Sequence, residues 1–388
     1  MNLTPLLYFE AALALATAAM TQAQIAPAEL VAPQFGISGG SLIFTVRPSV
    51  SGRTYQVQFS DTMAAGTWQN LGAVANGTGS NLAISTNYVP SVTRRFYRLL
   101  LASTSSSAPA GFALIPAGEF QMGDALDGMT DAPVHNVYVS AFYMEQYEVT
   151  KALWDEVKAW GGSQYSGYAI LPVGEGKSDT HPVTLINWYA VVKWCNARSE
   201  KEGLTPCYTV ASTGAVRWYS DVTPLCNWSA NGYRLPTEAE WEKAARGGMV
   251  GKRFAWGDVI SHTYANYYNY NYSYESPQNQ GCHPTYYVGA SPYTAPVGSF
   301  GANGYGLYDM AGNVKERCWE LYSSSYYTVL PRTDPRGDPS IDVGAGRVIR
   351  GGSWGSDASL CRLANRDRMG QLTYSNGTGF RVVRSVAP

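Results

Sequence analysis

Ser353 and Cys361 are the side chains whose setting in this sequence most suggests chemistry. Both fall in Arg347–Arg381, where Arg350-Gly351-Gly352-Ser353-Trp354 follows the β-branched pair Val348 and Ile349 and Gly379-Phe380-Arg381 closes the stretch. Two glycines after such a run let the backbone turn tightly and bring its amides close to a neighbour. Gly351-Gly352-Ser353-Trp354-Gly355 also spells the Gly-x-Ser-x-Gly elbow of serine hydrolases. That elbow needs a following helix and a histidine partner, and the residues after it read as loop. Cys361 reads as half of a disulfide or a buried thiol. Arg362, Arg366, Arg368 and Arg381 have the chemistry to hold an anion, but such residues more often pair with Asp and Glu inside a fold. His135, His181, His262 and His283 lack metal-site spacing such as His-x-x-x-His, which argues against zinc and non-haem iron. No glycine-rich phosphate loop precedes a lysine.

The elements that must position these groups are helices and short strands. Strands are expected over Phe112–Met122 and around Val134–Tyr143. Thr150 caps a helix through Trp160 that sets Leu153, Trp154, Val157 and Trp160 on one side. Asn187 starts a second helix, with Trp188, Val191, Val192 and Cys195 at helical spacing and Gly203 as its stop. Cys195 therefore faces the core. After Arg234-Leu235-Pro236, Thr237-Glu238-Ala239-Glu240 is a capping box for a third helix ending at Gly247-Gly248. Phe254–Phe300 then reads as loop, with nine tyrosines between Tyr264 and Tyr293.

In front of this, Ser41–Pro48, Thr54–Ser60 and Arg95–Leu101 read as strands. Thr54–Phe59 alternates bulky and polar residues, and Gly52, Gly66, Gly72, Asn76-Gly77 and Gly79 supply turns. A small all-β sandwich over 36–101 is expected, joined by a Ser/Ala-rich linker, 102–110, to the main domain, 111–388. Residues 1–23 have the pattern of a secretory signal. Ala11–Met20 is apolar but too short for a bilayer, and Thr21-Gln22-Ala23 could be cleaved. An exported location, periplasmic, cell-surface or secreted, is the expectation. Export would allow disulfides among the six cysteines, with Cys207 and Cys226 the best pair. A formal net charge of -1 gives no reason to expect nucleic acid or an acidic membrane surface as partner, and no segment reads as a membrane span.

Gly118-Glu119-Phe120-Gln121-Met122-Gly123, Asn303-Gly304-Tyr305-Gly306 through Glu316, the Gly-Gly-Ser-Trp motif and the closing Gly-Phe-Arg occur in an order that resembles the formylglycine-generating enzyme, or sulfatase-modifying factor, family over about 111–385. The resemblance implies an α+β, C-type-lectin-like fold of low regular secondary structure. It also implies oxidation of a cysteine in a protein or peptide client, with O2 as oxidant and Cu(I) held by two thiolates. Carried over, those ligand positions are Ser356 and Cys361, and Ser353 matches the active-site serine. A serine hydroxyl is a hard, weak ligand that cannot replace a thiolate for Cu(I), so Cu(I) is not expected. Lys315 stands where the family has a tryptophan after Gly312-Asn313-Val314. A structural Ca2+ is implied on Asp309, the carbonyls of Gly312 and Val314, and Glu316, a hard oxygen set. A second calcium site would use Asn266 and Tyr267 but lacks its aspartate near Val288–Ser291. Diverged oxidase is one reading. The other is a non-catalytic binding or display module using Gly355–Thr378, the window in which related variable proteins place their variable residues. The sulfoxide-synthase branch is not implied, because the N-terminal module lacks its histidine ligands.

Overall fold

The computed structural model describes residues 108–386, apart from 166, 170, 211–213, 216–223, 278–279 and 330–331, and six strands between 34 and 102. The chain divides into two compact units, 1–107 and 108–388. The expected signal, 1–23, and most of the expected linker lie outside the described residues.

In the first unit, β1 (Gln34–Ser38), β2 (Ser41–Val46) and β5 (Leu82–Asn87) form one antiparallel sheet. A second is built from β3 (Thr54–Ser60), β4 (Gln69–Asn76) and β6 (Phe96–Ala102). Phe44, Tyr55, Val57 and Ile84 form an apolar cluster contributed by both sheets. Tyr55 and Val57 are inward residues of a period-two strand. Gly72 lies inside β4 rather than in a turn. The ladder slips between Tyr55 opposite Ala75 and Val57 opposite Leu71, and a glycine suits the extra residues of such a bulge.

The second unit begins with β7 (Phe112–Ile115), β8 (Gly118–Met122), β9 (His135–Val139) and β10 (Phe142–Glu145). Each expected strand is thus split. Pro116 has no N–H to give a ladder, and the Ser140 N–H and hydroxyl both donate to Asp334, at 2.7 Å each. β8 pairs β9, while β10 lies between β7 and the C-terminal β18 (Val383–Ser385). The chain's last strand is thereby tied to the start of this unit.

Three helices follow the local signals. In α1 (Lys151–Gln164) the Thr150 hydroxyl accepts from Leu153 N–H at 3.2 Å, and the helix runs a turn past Trp160. In α2 (Trp188–Lys201) Asn187 accepts from Ala190 N–H at 2.8 Å. In α3 (Glu238–Arg246) the Thr237/Glu240 capping box is complete, and Gly247 ends the helix at φ +57°. Trp154 of α1 and Trp194 of α2 stack at 5.9 Å, and Phe380 meets both edge-on. Burying three aromatic rings against one another is worth several kcal/mol, of order ~1.5–3 each. It fixes the closing Gly-Phe-Arg in the core.

The site-bearing sheet has the order β16-β15-β14-β17, with β14 (Lys315–Leu321), β15 (Arg347–Arg350), β16 (Asp367–Met369) and β17 (Thr378–Gly379). β17 runs parallel to β14 and the other pairs are antiparallel. Among the described residues, 247–314 hold no helix or strand. Their order comes from a separate apolar cluster: Phe254, Ile260, Ala265 and Tyr267 with Ala311, Ala358 and Cys361. A small ribbon of β11 (Tyr208–Val210), β12 (Gly214–Ala215) and β13 (Leu225–Cys226) packs beside α2.

All six cysteines are free thiols, including Cys207 and Cys226. The register explains why that pair is not joined. Tyr208 stands opposite Cys226, and Asn227 N–H donates to the Cys207 carbonyl. The residue opposite Cys226 is thus Tyr208 and not Cys207, which lies just before β11. Cys195 is fully buried, as expected. Among the described residues no helix is long and apolar enough to cross a membrane.

Candidate functional site

The Gly-Gly-Ser turn leaves β15 in a conformation that only glycine adopts easily, with Gly351 at φ +90° and Gly352 at φ +71°. A Cβ on Gly351 would stand 3.0 Å from the Trp241 ring, and one on Gly352 2.5 Å from Cys361 Sγ. The tight approach expected of these glycines is therefore to α3 on one side and to the Cys361 thiol on the other. Gly312 N–H donates to the Gly351 carbonyl at 2.8 Å, and Trp354 N–H donates to Asn313 at 2.8 Å. These bonds bind the turn to the Asp309–Glu316 segment.

Ser353 and Ser356 come together, their hydroxyl oxygens 3.1 Å apart and both residues buried. Cys361 is fully buried in the apolar cluster with Phe254 and Tyr267. Burial pushes its thiol well up, and the charge of Asp357 adds to this. At neutral pH it is protonated, and a protonated thiol is neither a good nucleophile nor a good soft-metal ligand. Cys318 packs in a different cluster with Trp241 and Val348, and Cys282 is half-buried in the long loop. Neither joins the cluster around Cys361. The residues present therefore do not fit a two-thiolate Cu(I) centre.

Lys315 pairs with Asp367 of β16 at 2.7 Å. The adjacent aromatic wall is Trp354 edge-on to Tyr293 at 5.1 Å, with Tyr293 also touching Tyr287. Asn376 binds this wall to Ser291 and accepts from the Trp354 indole N–H. Beyond Ser291 lies an open recess of about 450 Å³ lined by Lys151, Gly174–Lys177 and Ala290–Pro292.

Asp309 and Glu316 are brought together with a residue that sequence reasoning missed, Glu148. Asp309 sits at φ +57°, accepts from Gly298 N–H at 2.6 Å through one oxygen, and buries the other without a partner. Glu316 is clamped by Arg381 at 2.7 Å and by the Trp241 indole at 2.8 Å. Glu148 accepts from Asn313 and from Val314 N–H. Burial first, then the charges of Asp309 and Glu316, push the Glu148 carboxyl far above its usual range. Burial likewise raises Asp309. Three buried carboxyls thus face one guanidinium. No side-chain cluster of three His, Cys, Asp or Glu close enough to hold a metal occurs among the described residues. Of the implied calcium ligands, one Asp309 oxygen is unpartnered, while both Glu316 oxygens already accept from Arg381 and one of them also from the Trp241 indole. Elsewhere, Asn266 donates its amide to the Tyr293 carbonyl, and the Tyr267 carbonyl faces His262 Nε2 at 3.1 Å. Both residues of the second expected calcium site thus have protein partners.

The arginines of the motif stretch mostly behave as expected. Arg350 meets Glu242 at 2.5 Å, Arg366 meets Glu238 at 2.8 Å, and Arg362 meets Asp127 at 2.8 Å. Only Arg368 is exposed, against the Tyr322 ring.

A fold of helices and short strands laced by long loops, with a Gly-Gly-Ser turn seated over an acid-rich segment, defines the formylglycine-generating-enzyme-like class. Residues 100–386 match the sulfatase-modifying factor enzyme 1-like domain. The chain belongs to that family. It is 34% identical to the formylglycine-generating enzyme of Streptomyces coelicolor over 296 residues, 70% of this chain and 88% of that one. Similarity extends to the chaperone protein LppX of Paenibacillus barcinonensis, 32% over 260 residues, covering 64% and 82% of the two chains. Among solved structures, Treponema denticola variable protein 1 aligns with a TM-score of 0.54 at 28% identity, over 71% of this chain and 95% of that one.

Proposed function

We propose that this chain is a family member that has left copper-dependent cysteine oxidation and serves as an exported binding module. Its binding surface is the Gly355–Thr378 loop region, its ligand a protein, a peptide or a surface group. One observation carries the reading. At the two positions where the oxidase chemistry needs thiolates, Ser356 is hydrogen-bonded to Ser353, and Cys361 is fully buried in an apolar cluster. A C-type-lectin-like scaffold tolerates variable loops, and relatives named as an enzyme, a chaperone and a variable protein fit a domain used for more than one task. Calcium on Asp309, Gly312, Val314 and Glu316 is a structural brace in this reading. The N-terminal strands form a small sandwich that acts as a spacer or attachment module.

Cu(I) titration of the reduced protein against a competing chelator tests the proposal, with Cys361→Ser and Ser356→Cys as companions. The wild type is expected not to compete, and Ser356→Cys to gain affinity. Tight one-to-one Cu(I) binding by the wild type that disappears in Cys361→Ser would overturn the reading and restore the oxidase. Conversion of a cysteine peptide to its aldehyde would do the same.

A further inference from the structure

The buried arginines of this fold fall into two groups. Arg350, Arg366 and Arg381 each meet a buried glutamate. Arg317 on β14 and Arg347 on β15 have no carboxylate within ion-pair distance among the described residues. Arg317 is fully buried. Its Nη2 donates to the Thr373 carbonyl at 2.7 Å and the Ile186 carbonyl at 2.9 Å, while its Nε and Nη1 are buried without partners. Arg347 donates from Nη1 to the Trp319 carbonyl at 2.6 Å and lies 3.8 Å above the Trp188 ring. Its Nε and Nη2 are likewise unpartnered. Burial alone pulls the Arg317 guanidinium down to about 10. A buried cation without its counter-charge is costly, so one left this way calls for an anion.

Both arginines reach the same loop. Arg347 pairs with Met369 in the ladder, and Arg317 Nη2 stands 3.6 Å from Met369 Sδ. The start of α2 adds the same sign: Trp188 N–H donates to the Gln371 carbonyl, and the first turn holds no acidic residue. The covering loop is exposed at Leu372 and Tyr374. It belongs to the Gly355–Thr378 surface.

We propose that the face of β14 and β15 beneath the Met369–Tyr374 loop is an oxyanion site. Arg317 and Arg347 hold it together, and the ligand of this surface presents a carboxylate, sulfate or phosphate group there. On Arg347 the free Nε–H and Nη2–H share one edge of the planar guanidinium and match two oxygens of such an anion, while Arg317, whose Nη2 is taken by two carbonyls, adds single donors from Nε and Nη1. The assignment rests on the binding reading and gives that ligand its chemical class.

The test is thermal melting of the full chain in chloride, acetate, sulfate and phosphate at matched ionic strength, followed by calorimetric titration with the anion that shifts it. A saturable rise of about 5 °C or more is expected once the anion exceeds its Kd about a hundredfold. Acetate against the two tetrahedral anions distinguishes a carboxylate ligand from a sulfated or phosphorylated one. Arg317→Met should abolish the rise and melt no lower than the wild type in chloride. Arg317→Lys should keep a weaker response, and Arg368→Ala a full one. Melting that follows ionic strength alone in the wild type, or an undiminished rise in Arg317→Met, would overturn the assignment. If Arg317→Met does not fold, the wild-type titration and Arg347→Met still decide it. A wild type that binds neither oxyanion nor Cu(I) removes the oxyanion site and leaves the binding reading standing. Cu(I) binding removes that reading itself.

Discussion

Gly352→Ala is the substitution whose cost can be worked most directly from the geometry. The new Cβ would stand 2.5 Å from Cys361 Sγ, 3.1 Å from the Leu360 carbonyl oxygen and 3.2 Å from Cys361 Cα. Gly352 also sits at φ +71°, where an L-residue costs about 1–2 kcal/mol. Forcing a methyl into a packed interior adds about 1–3 kcal/mol. The sum, roughly 2–5 kcal/mol, is a large part of the ~5–15 kcal/mol that holds a typical domain folded. The two components separate in a double-mutant cycle with Cys361→Ala. Removing the sulfur relieves the closest contact and leaves the backbone cost, so the pair should lose less than the sum of the singles, by about 1 kcal/mol or more. Equilibrium unfolding in urea, followed by tryptophan fluorescence, reads the midpoints at unchanged slope. Ten of the eleven tryptophans lie beyond residue 107, so the signal reports the second unit. A loss below about 0.5 kcal/mol for Gly352→Ala, or strict additivity in the cycle, would refute the packing argument.

Chelation should destabilise the second unit, because three buried carboxyls then share Arg381 alone. With Ca2+ at a hundredfold excess over its Kd, the melting temperature should exceed that in EDTA by about 5 °C or more, and equal values would sink the calcium brace. Glu242→Gln leaves Arg246, at 2.6 Å, and Arg350, at 2.5 Å, sharing a neutral amide in a fully buried setting. Breaking such a pair costs about 3–5 kcal/mol, and urea unfolding should show it. Lys243 donates to the carbonyls of Gly118 and Val139, and burial lowers it to about 8. Its folded value lies below its unfolded one, near ~10.4, so between these pH values the unfolded chain holds the extra proton. This contribution therefore raises stability as pH climbs through the window. Lys243→Met should lose that rise relative to the wild type in parallel melts from pH 7 to 10.5, and identical slopes would exclude it.

The helices were legible because their signals are local. Thr150, Asn187 and Thr237 each cap within three residues of themselves, and a residue pattern read in a short window contains all of that. The strand breaks were half legible. Pro116 announces its own, but Ser140 leaves the ladder because Asp334, 194 residues away, takes its N–H. Cys207 and Cys226 looked like a pair from their spacing. A one-residue offset in the register, which spacing does not encode, separates them.

The site divides in the same way. Gly351 and Gly352 declare that something must come close, yet nothing in the sequence says that it is Trp241 on one side and Cys361 Sγ on the other. Motif resemblance marks Ser356 as a replaced ligand. Only the fold shows what the serine does instead, which is to share a hydrogen bond with Ser353. Glu148 belongs to the acid group around Arg381 although no spacing ties it to Asp309 and Glu316. Arg317 is the sharpest case. In the sequence it is one cation next to Glu316 on a short strand. Alternation along β14 sends Glu316 toward Arg381 and Trp241, while Arg317 reaches the Ile186 and Thr373 carbonyls. The adjacent acid therefore cannot neutralise it. Charge balance in this fold is set by which face a strand residue takes, and that is why a chain of almost zero net charge can still hold an unanswered cation under its exposed loop.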